Sequence, residues 1–290
     1  MSDSARGGSL GGPARFVDLH THSTASDGAL APRAVVQAAR AADLAVIALT
    51  DHDTLDGLAE AEAAGRDLGV RVVAGVELSA VEGARAEHET HVLGLHLADR
   101  ARIEASLKEL RGMRARRAEQ MVRRLGELGA PVAMEAVLRE ANGGAIGRPH
   151  VARALTAAGF ATDARDAFER LIGNGRPAYV PKERLAMTDA IALIHAAGGI
   201  AVLAHPGGKI ARERVAALAR EGLDGIEVLH PSHSWDDASA LDALAAEFAM
   251  VRSGGSDWHG TSDGARTLGM MKVPPHWVSE QEARIAARAA

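Results

Sequence analysis

Short apolar runs alternate along the chain with longer stretches of helical period. RFVDLH, AVIALT, VRVVAGVEL and HVLGLHL read as buried strands, because apolar residues fill consecutive positions rather than every second one. GIAVLAH, DGIEVLH and AMVRSGGSD repeat the pattern later. Between these runs, residues 32–42, 55–68, 187–197, 212–220 and 236–248 carry apolar positions at amphipathic-helix spacing. Strand–helix alternation predicts a parallel sheet with right-handed crossovers. Seven strands are near the number that closes an α/β barrel.

Residues 99–185 break the rhythm with no convincing strand. An Arg-rich helix is expected over 102–128, then shorter helices over 131–140, 149–157 and 163–171. Gly143, Gly144, Gly147, Gly173 and Gly175 punctuate them. The stretch reads as a helical insertion, a lid or substrate domain, dividing a barrel made of 15–98 and 186–290. Residues 1–14, MSDSARGGSLGGPA, lack the apolar core of a signal peptide and are expected to be a disordered leader. No run approaches the ~18 to 20 apolar residues of a membrane span, so no membrane association and a cytoplasmic location are expected.

Composition narrows the chemistry. The 290 residues carry 33 Lys and Arg against 38 Asp and Glu, a formal charge of −5. Bulk attraction to nucleic acid is therefore excluded, and any phosphate recognition must come from a local cationic site. Four Phe, three Trp and one Tyr are too few for an aromatic stacking sheet. The absence of Cys rules out disulfides, thiolate zinc sites and a cysteine nucleophile. The 13 His stand out against this background.

Their positions carry the argument. His20 closes the first strand, and the HTH spacing points His20 and His22 to the same side of an extended segment. Asp27 follows in the loop, His52 lies just past the second strand, Glu77 ends the third and His91 begins the fourth. His205 ends the fifth, while Asp257 and His259 follow the last. Each alone reads as a loop residue, a turn or a helix cap. A barrel gathers its strand ends at one mouth, where so many acids and imidazoles are costly to bury without a ligand. A polynuclear metal site accounts for the whole set.

HTHSTASDG, TDHDTLDG, GVELS, HVLG, AHPGG and SDWHG resemble the motif series of the PHP (polymerase and histidinol phosphatase) family from about Phe16 to Thr267. The resemblance implies an α/β fold: a distorted (β/α)7 barrel with a mostly helical insertion. It further implies three metals, the first held by His20, His22, Glu77 and Asp257. The second shares Glu77 and adds His91 and His205; the third takes Asp27, His52 and His259. Two or three divalent ions are expected, and the N/O donors suit Mn²⁺, Fe²⁺ or Zn²⁺. Glu77, His205 and Asp257 are the expected catalytic residues, holding a metal-bridging hydroxide as nucleophile. AIGRPHVARAL, GRPAYVPKE and GIEVLHPSH resemble the branch that hydrolyses nucleotide phosphates.

That branch implies a phosphatase removing the 3′-phosphate of nucleoside 3′,5′-bisphosphates. Alternatives are a 5′-to-3′ exonuclease on short RNA, another phosphoesterase such as a histidinol phosphatase, and a non-catalytic metal-binding regulatory module. The expected partner is a small nucleotide, with short RNA as the alternative and no obligate protein partner. Arg148 and Lys182 are candidates for a second phosphate, with Arg176 between them; His150, His230 and His233 are further substrate candidates. His150 reads equally as a helix cap, and His230 and His233 as supports for metal ligands or, through a proton, as acids toward the leaving oxygen. Arg111, Arg114, Arg116, Arg117, Arg123 and Arg124 read as a solvated helix face pairing with Glu109 and Glu119, with RNA guidance as the alternative.

Overall fold

The computed structural model describes residues 16–82, 90–181, 185–260 and 266–289. The expected leader therefore lies outside the described residues. The strands are β1 (Val17–Thr21), β2 (Val46–Leu49), β3 (Arg71–Ala80), β4 (Thr90–Leu95), β5 (Ile200–Leu203), β6 (Gly225–Leu229) and β7 (Val251–Gly254). The helices of the barrel region are α1 (Pro32–Ala41), α2 (Leu58–Leu68), α7 (Met187–Ala196), α8 (Arg212–Arg220), α9 (Trp235–Glu247) and α10 (His276–Ala289). Between β4 and α7 come α3 (Arg100–Glu127), α4 (Met134–Ala141), α5 (Arg148–Ala157) and α6 (Ala164–Ala167), the last running into a π-helical turn, Phe168–Ile172.

Local chemistry sets the element ends. Pro32 opens α1 where its missing N–H costs nothing. Gly69 ends α2 with φ at +67°, a left-handed cap that glycine adopts freely. At α9, Ser234 Oγ accepts the Asp237 N–H (3.2 Å) and Asp237 Oδ2 accepts the Ser234 N–H (2.9 Å), a reciprocal cap.

The strands lie side by side in the order β1 to β7. The sheet nearly closes, because the segment after β7 returns to β1: the His22 N–H donates to the Trp258 carbonyl (3.0 Å), and Val17 pairs with Val273. One expectation is corrected. The sheet is mixed, with β4 antiparallel to both β3 and β5, whereas the other neighbouring pairs are parallel. The link 81–89 explains it, being shorter than the dozen or so residues that a parallel crossover needs. The reversal has a functional result. The first residues of β4, not its last, share the mouth with the C-terminal ends of the other strands.

Among the described residues, two apolar clusters hold the chain together. The larger contains the barrel strands and the helices around them; the smaller joins Ala118, Met121, Leu125, Val137, Leu155 and Ile172 of the helical stretch. α3 belongs to both. Its Ile103, Leu107 and Leu110 lie in the barrel cluster, and its Ala118, Met121 and Leu125 lie in the other. At 28 residues it is about 42 Å long. Among the described residues, no helix is long and apolar enough to cross a membrane.

Candidate metal centre

Alternation along β1 puts Val17 and Leu19 on one side and Asp18 and His20 on the other, and His22 follows just past the strand end. His20 and His22 are fully buried, and each turns Nε2 toward Glu77 and Asp257. His20 Nε2 lies 3.3 Å from Glu77 Oε2 and 3.3 Å from Asp257 Oδ1; for His22 Nε2 both distances are 3.2 Å. The other Glu77 oxygen, Oε1, faces His91 Nδ1 (2.6 Å) and His205 Nε2 (3.2 Å). Glu77 thus stands between two donor groups, one oxygen to each. Asp27 gathers a third: His259 Nε2 lies 3.4 Å from its Oδ1 and His52 Nε2 3.8 Å from its Oδ2. In each of these groups the potential donor atoms lie within 4.8 Å of one another. Two groups have the members expected from the sequence: His20 with His22, Glu77 and Asp257, and Glu77 with His91 and His205. The Asp27 group also takes in His22, and His20, Glu227 and His230 form a further cluster.

Backbone geometry at the mouth is unusual. His205, Asp257 and Asp53 adopt φ of +30°, +49° and +54°, left-handed conformations that cluster where function over-determines the backbone. Gly255 permits β7 to pass beside His20, since a Cβ there would lie 2.4 Å from the His20 Cβ.

The electrostatics favour charged carboxylates. Burial acts to raise Glu77, but the imidazoles of His52, His91 and His20 outweigh it and hold the group well below the usual carboxylate range. Burial likewise opposes ionisation of Asp27 and Asp257, and their imidazole neighbours override it. Burial would lower His22, yet Asp257 and Glu77 push it up to about 10. Nδ1 of His22 and Nδ1 of His52 are buried without a hydrogen-bond partner, and Nε2 of His22 meets its two carboxylates at ion-pair distance without a well-directed hydrogen bond. Such unsatisfied imidazole nitrogens cost several kcal/mol at most sites unless something binds them. With all-N/O donors and ionised carboxylates, these residues fit divalent metal ions.

A cavity of about 190 Å³ adjoins the cluster, lined in part by Asp27, His52, His91, Arg114, Arg117 and Arg148. Arg148 donates to Asn174 Oδ1 (2.7 Å), and its guanidinium lies over the rings of Phe168 (5.5 Å) and Tyr179 (5.8 Å). Arg117 also lies over Tyr179 and donates to the Val180 carbonyl (2.8 Å). The solvated-face reading of this helix is corrected at its centre. Arg114 is buried and ion-paired to buried Asp53, and Arg111 donates to the Asp53 carbonyl (3.2 Å) and to Glu104. Through Asp53 these side chains reach the barrel mouth, where Arg114 also lines the cavity.

The remaining substrate candidates separate. His150 caps α5, its Nδ1 accepting the Gly147 N–H (2.8 Å). His233 uses both nitrogens on the backbone, at Val228 O (3.0 Å) and Gly207 N (3.2 Å). His230 is buried at the cluster, with Nε2 3.4 Å from Asp257 Oδ2 and Nδ1 accepting the Ser232 N–H (3.1 Å). Arg176 is exposed. Lys182 lies outside the described residues. The sequence reading passed over two residues that touch the cluster. Glu227, the acid inside the apolar run GIEVLH, is fully buried against His20; Arg266 pairs with Asp257.

The PHP domain family matches residues 18–132. Over 268 residues the chain is 39% identical to a Chromobacterium violaceum protein named 3′,5′-nucleoside bisphosphate phosphatase, covering 89% of this chain and 93% of that one. A Haemophilus influenzae 5′-3′ exoribonuclease is 37% identical over 248 residues, 83% of this chain and 89% of its own. Among solved structures, a Bifidobacterium adolescentis protein described as a metal-dependent phosphoesterase superposes with a TM-score of 0.85 at 32% identity, covering 94% of this chain and 97% of that one. With the donor groups assembled at one mouth and these relatives matched over most of their length, the chain belongs to the PHP domain family and is a hydrolase.

Proposed function

We propose that this hydrolase removes the 3′-phosphate of nucleoside 3′,5′-bisphosphates and leaves the 5′-monophosphate. The observation that carries the reading is the wall of the cavity, which passes from Asp27, His52 and His91 to Arg117 and Arg148. Donor groups for the reacting phosphoryl thus adjoin guanidiniums suited to a second phosphate. In this reading His20, His22, Glu77 and Asp257 hold one divalent ion, and Glu77, His91 and His205 hold another. Asp27, His52 and His259 form the third site. Bound divalent ions supply Lewis acidity, easing deprotonation of water and offsetting phosphoryl charge.

The protein's own groups do the rest. Arg148, steadied by Asn174 and two rings, clasps the 5′-phosphate with its planar fork. The Ser232 N–H occupies His230 Nδ1, so a neutral His230 carries its proton on Nε2, facing Asp257 and the cluster. That N–H is placed to donate a hydrogen bond to the leaving 3′-oxygen, which takes its proton from water. The similarity to a bisphosphate phosphatase over 89% of the chain supports the same substrate class.

The test is phosphate release from adenosine 3′,5′-bisphosphate with Mn²⁺, set against 3′-AMP, 5′-AMP and histidinol phosphate. Preference for histidinol phosphate would overturn the assignment. A second reading, 5′-to-3′ hydrolysis of short RNA, is favoured by the 37% identity to an exoribonuclease. It predicts a ladder of mononucleotides from a 5′-phosphorylated oligomer, with the same cations holding the terminal phosphate.

A further inference from the structure

Glu227 sits on β6 with no exposed surface, and an ionised carboxylate in such a place must be paired. It has two partners from two different strand ends. Its Oε1 lies 3.0 Å from His20 Nδ1, and its Oε2 accepts the backbone N–H of His205 at 2.7 Å.

The first contact decides which His20 nitrogen is free. A carboxylate can only accept, so the proton of a neutral His20 resides on Nδ1 and the lone pair on Nε2. Nε2 is the atom that faces Glu77 and Asp257. The second contact acts on backbone. His205 holds φ at +30°, a conformation an L residue adopts only when its surroundings insist, and the Glu227 oxygen anchors the N–H of that residue. From there His205 Nε2 reaches Glu77 Oε1. One buried carboxylate therefore grips the side chain of one donor group and the main chain of another. Among the described residues, its hydrogen bonds and ion pairs go to His20 and His205 and not to Asp27, His52 or His259.

We propose that Glu227 is a positioning residue for two of the donor groups at once, fixing the His20 tautomer and the His205 backbone, and that metal affinity at both depends on it. The proposal rests on the metal centre argued above. Hydrogen-bonding partners of metal-bound imidazoles typically change metal affinity about 10–100-fold when removed. Gln has the shape of Glu but offers one oxygen to two N–H donors, so Glu227→Gln can satisfy only one arm. Glu227→Ala satisfies neither.

The experiment is equilibrium dialysis of the full chain against chelator-buffered Mn²⁺, with bound ions counted by elemental analysis. Anomalous scattering from Mn²⁺-loaded crystals assigns the occupancies. Glu227→Gln is expected to weaken either the His20 or the His205 group about 10–100-fold, and Glu227→Ala both. The Asp27 group should keep its affinity in each. Unchanged affinity in both variants, or equal loss at all groups, overturns the proposal. So does an ion between His20 Nδ1 and Glu227. Failure of the wild type to bind Mn²⁺ would instead sink the metal centre itself. Circular dichroism in EDTA checks folding. Should the variants not fold, neutron diffraction of the metal-loaded wild type decides: a proton on His20 Nδ1 supports the proposal, and its absence refutes it.

Discussion

Arg114→Met isolates the pair that ties α3 to the barrel. Arg114 is 8% exposed and Asp53 is 1% exposed, so the substitution leaves a carboxylate in a nearly dry site. Breaking a buried pair from one side costs about 3–5 kcal/mol, because the orphaned charge retains its desolvation penalty. The same contact at a water-exposed surface would be worth about 0–1 kcal/mol. At roughly 2 °C per kcal/mol, the lower rate suited to a chain this long, the melting temperature should fall by about 6–10 °C. Calorimetry of the metal-free protein reads this without interference from ligand binding. Asp53→Leu combined with Arg114→Met should cost less than the sum of the two single changes, because the double variant removes both members of the pair together. A loss below about 1 kcal/mol for Arg114→Met, or simple additivity in the double variant, would refute the view that this pair is buried and mutually dependent.

Three further outcomes are expected. Arg148→Ala should raise KM for adenosine 3′,5′-bisphosphate about 10–100-fold, the equivalent of roughly 1.5–3 kcal/mol for charge-assisted bonds, with 3′-AMP changed by no more than about twofold; equal effects on both substrates would remove Arg148 from the second phosphate. Burial pushes His150 down to about 4, so below about pH 6.5 the unfolded chain binds a proton that the folded chain refuses, and stability should fall by about 3 kcal/mol as pH drops from 6.5 toward 4. Urea midpoints at about pH 7 and 4.5 should show a shallower loss for His150→Asn, whose oxygen can still accept the Gly147 N–H. Gly255→Ala would force a Cβ to 2.4 Å from the His20 Cβ and 2.9 Å from Asp18 Oδ1, which should cost about 1–3 kcal/mol in the metal-free protein and lower its bound Mn²⁺.

The strands were legible because short Val, Ile and Leu runs have few alternatives in a soluble chain. The donor residues were legible because they are polar at strand ends, where apolar residues would otherwise continue; their division into groups was implied by the PHP resemblance. The direction of β4 was present in two unread signals. The 81–89 link is too short for a crossover, and His91 begins its strand where the other donors end theirs. Arg114 escaped because helical periodicity cannot say what packs against a polar face, and the partner, Asp53, is far away in sequence. Glu227 could have been flagged as an acid inside an apolar run, since such a residue is buried only with partners. Its partners, His20 and the His205 backbone, come from β1 and the end of β5 and become neighbours only when the sheet curls. α10, whose Trp277 and Val278 are buried, was not anticipated, because its apolar positions are few and interrupted by charges.

The continuity of α3 ties the angular phase of the insertion to that of the barrel. The helix is rooted by Ile103, Leu107 and Leu110, and Gly112 precedes Arg114 and Arg117 on the same uninterrupted spiral. Deleting one residue at Gly112 would turn everything beyond it by about 100° and draw it in by about 1.5 Å. Arg114 would swing off Asp53, and the guanidiniums would leave the mouth together, although no donor residue had been altered. In the first half of α3 the count of residues is itself a determinant of which way the cavity faces.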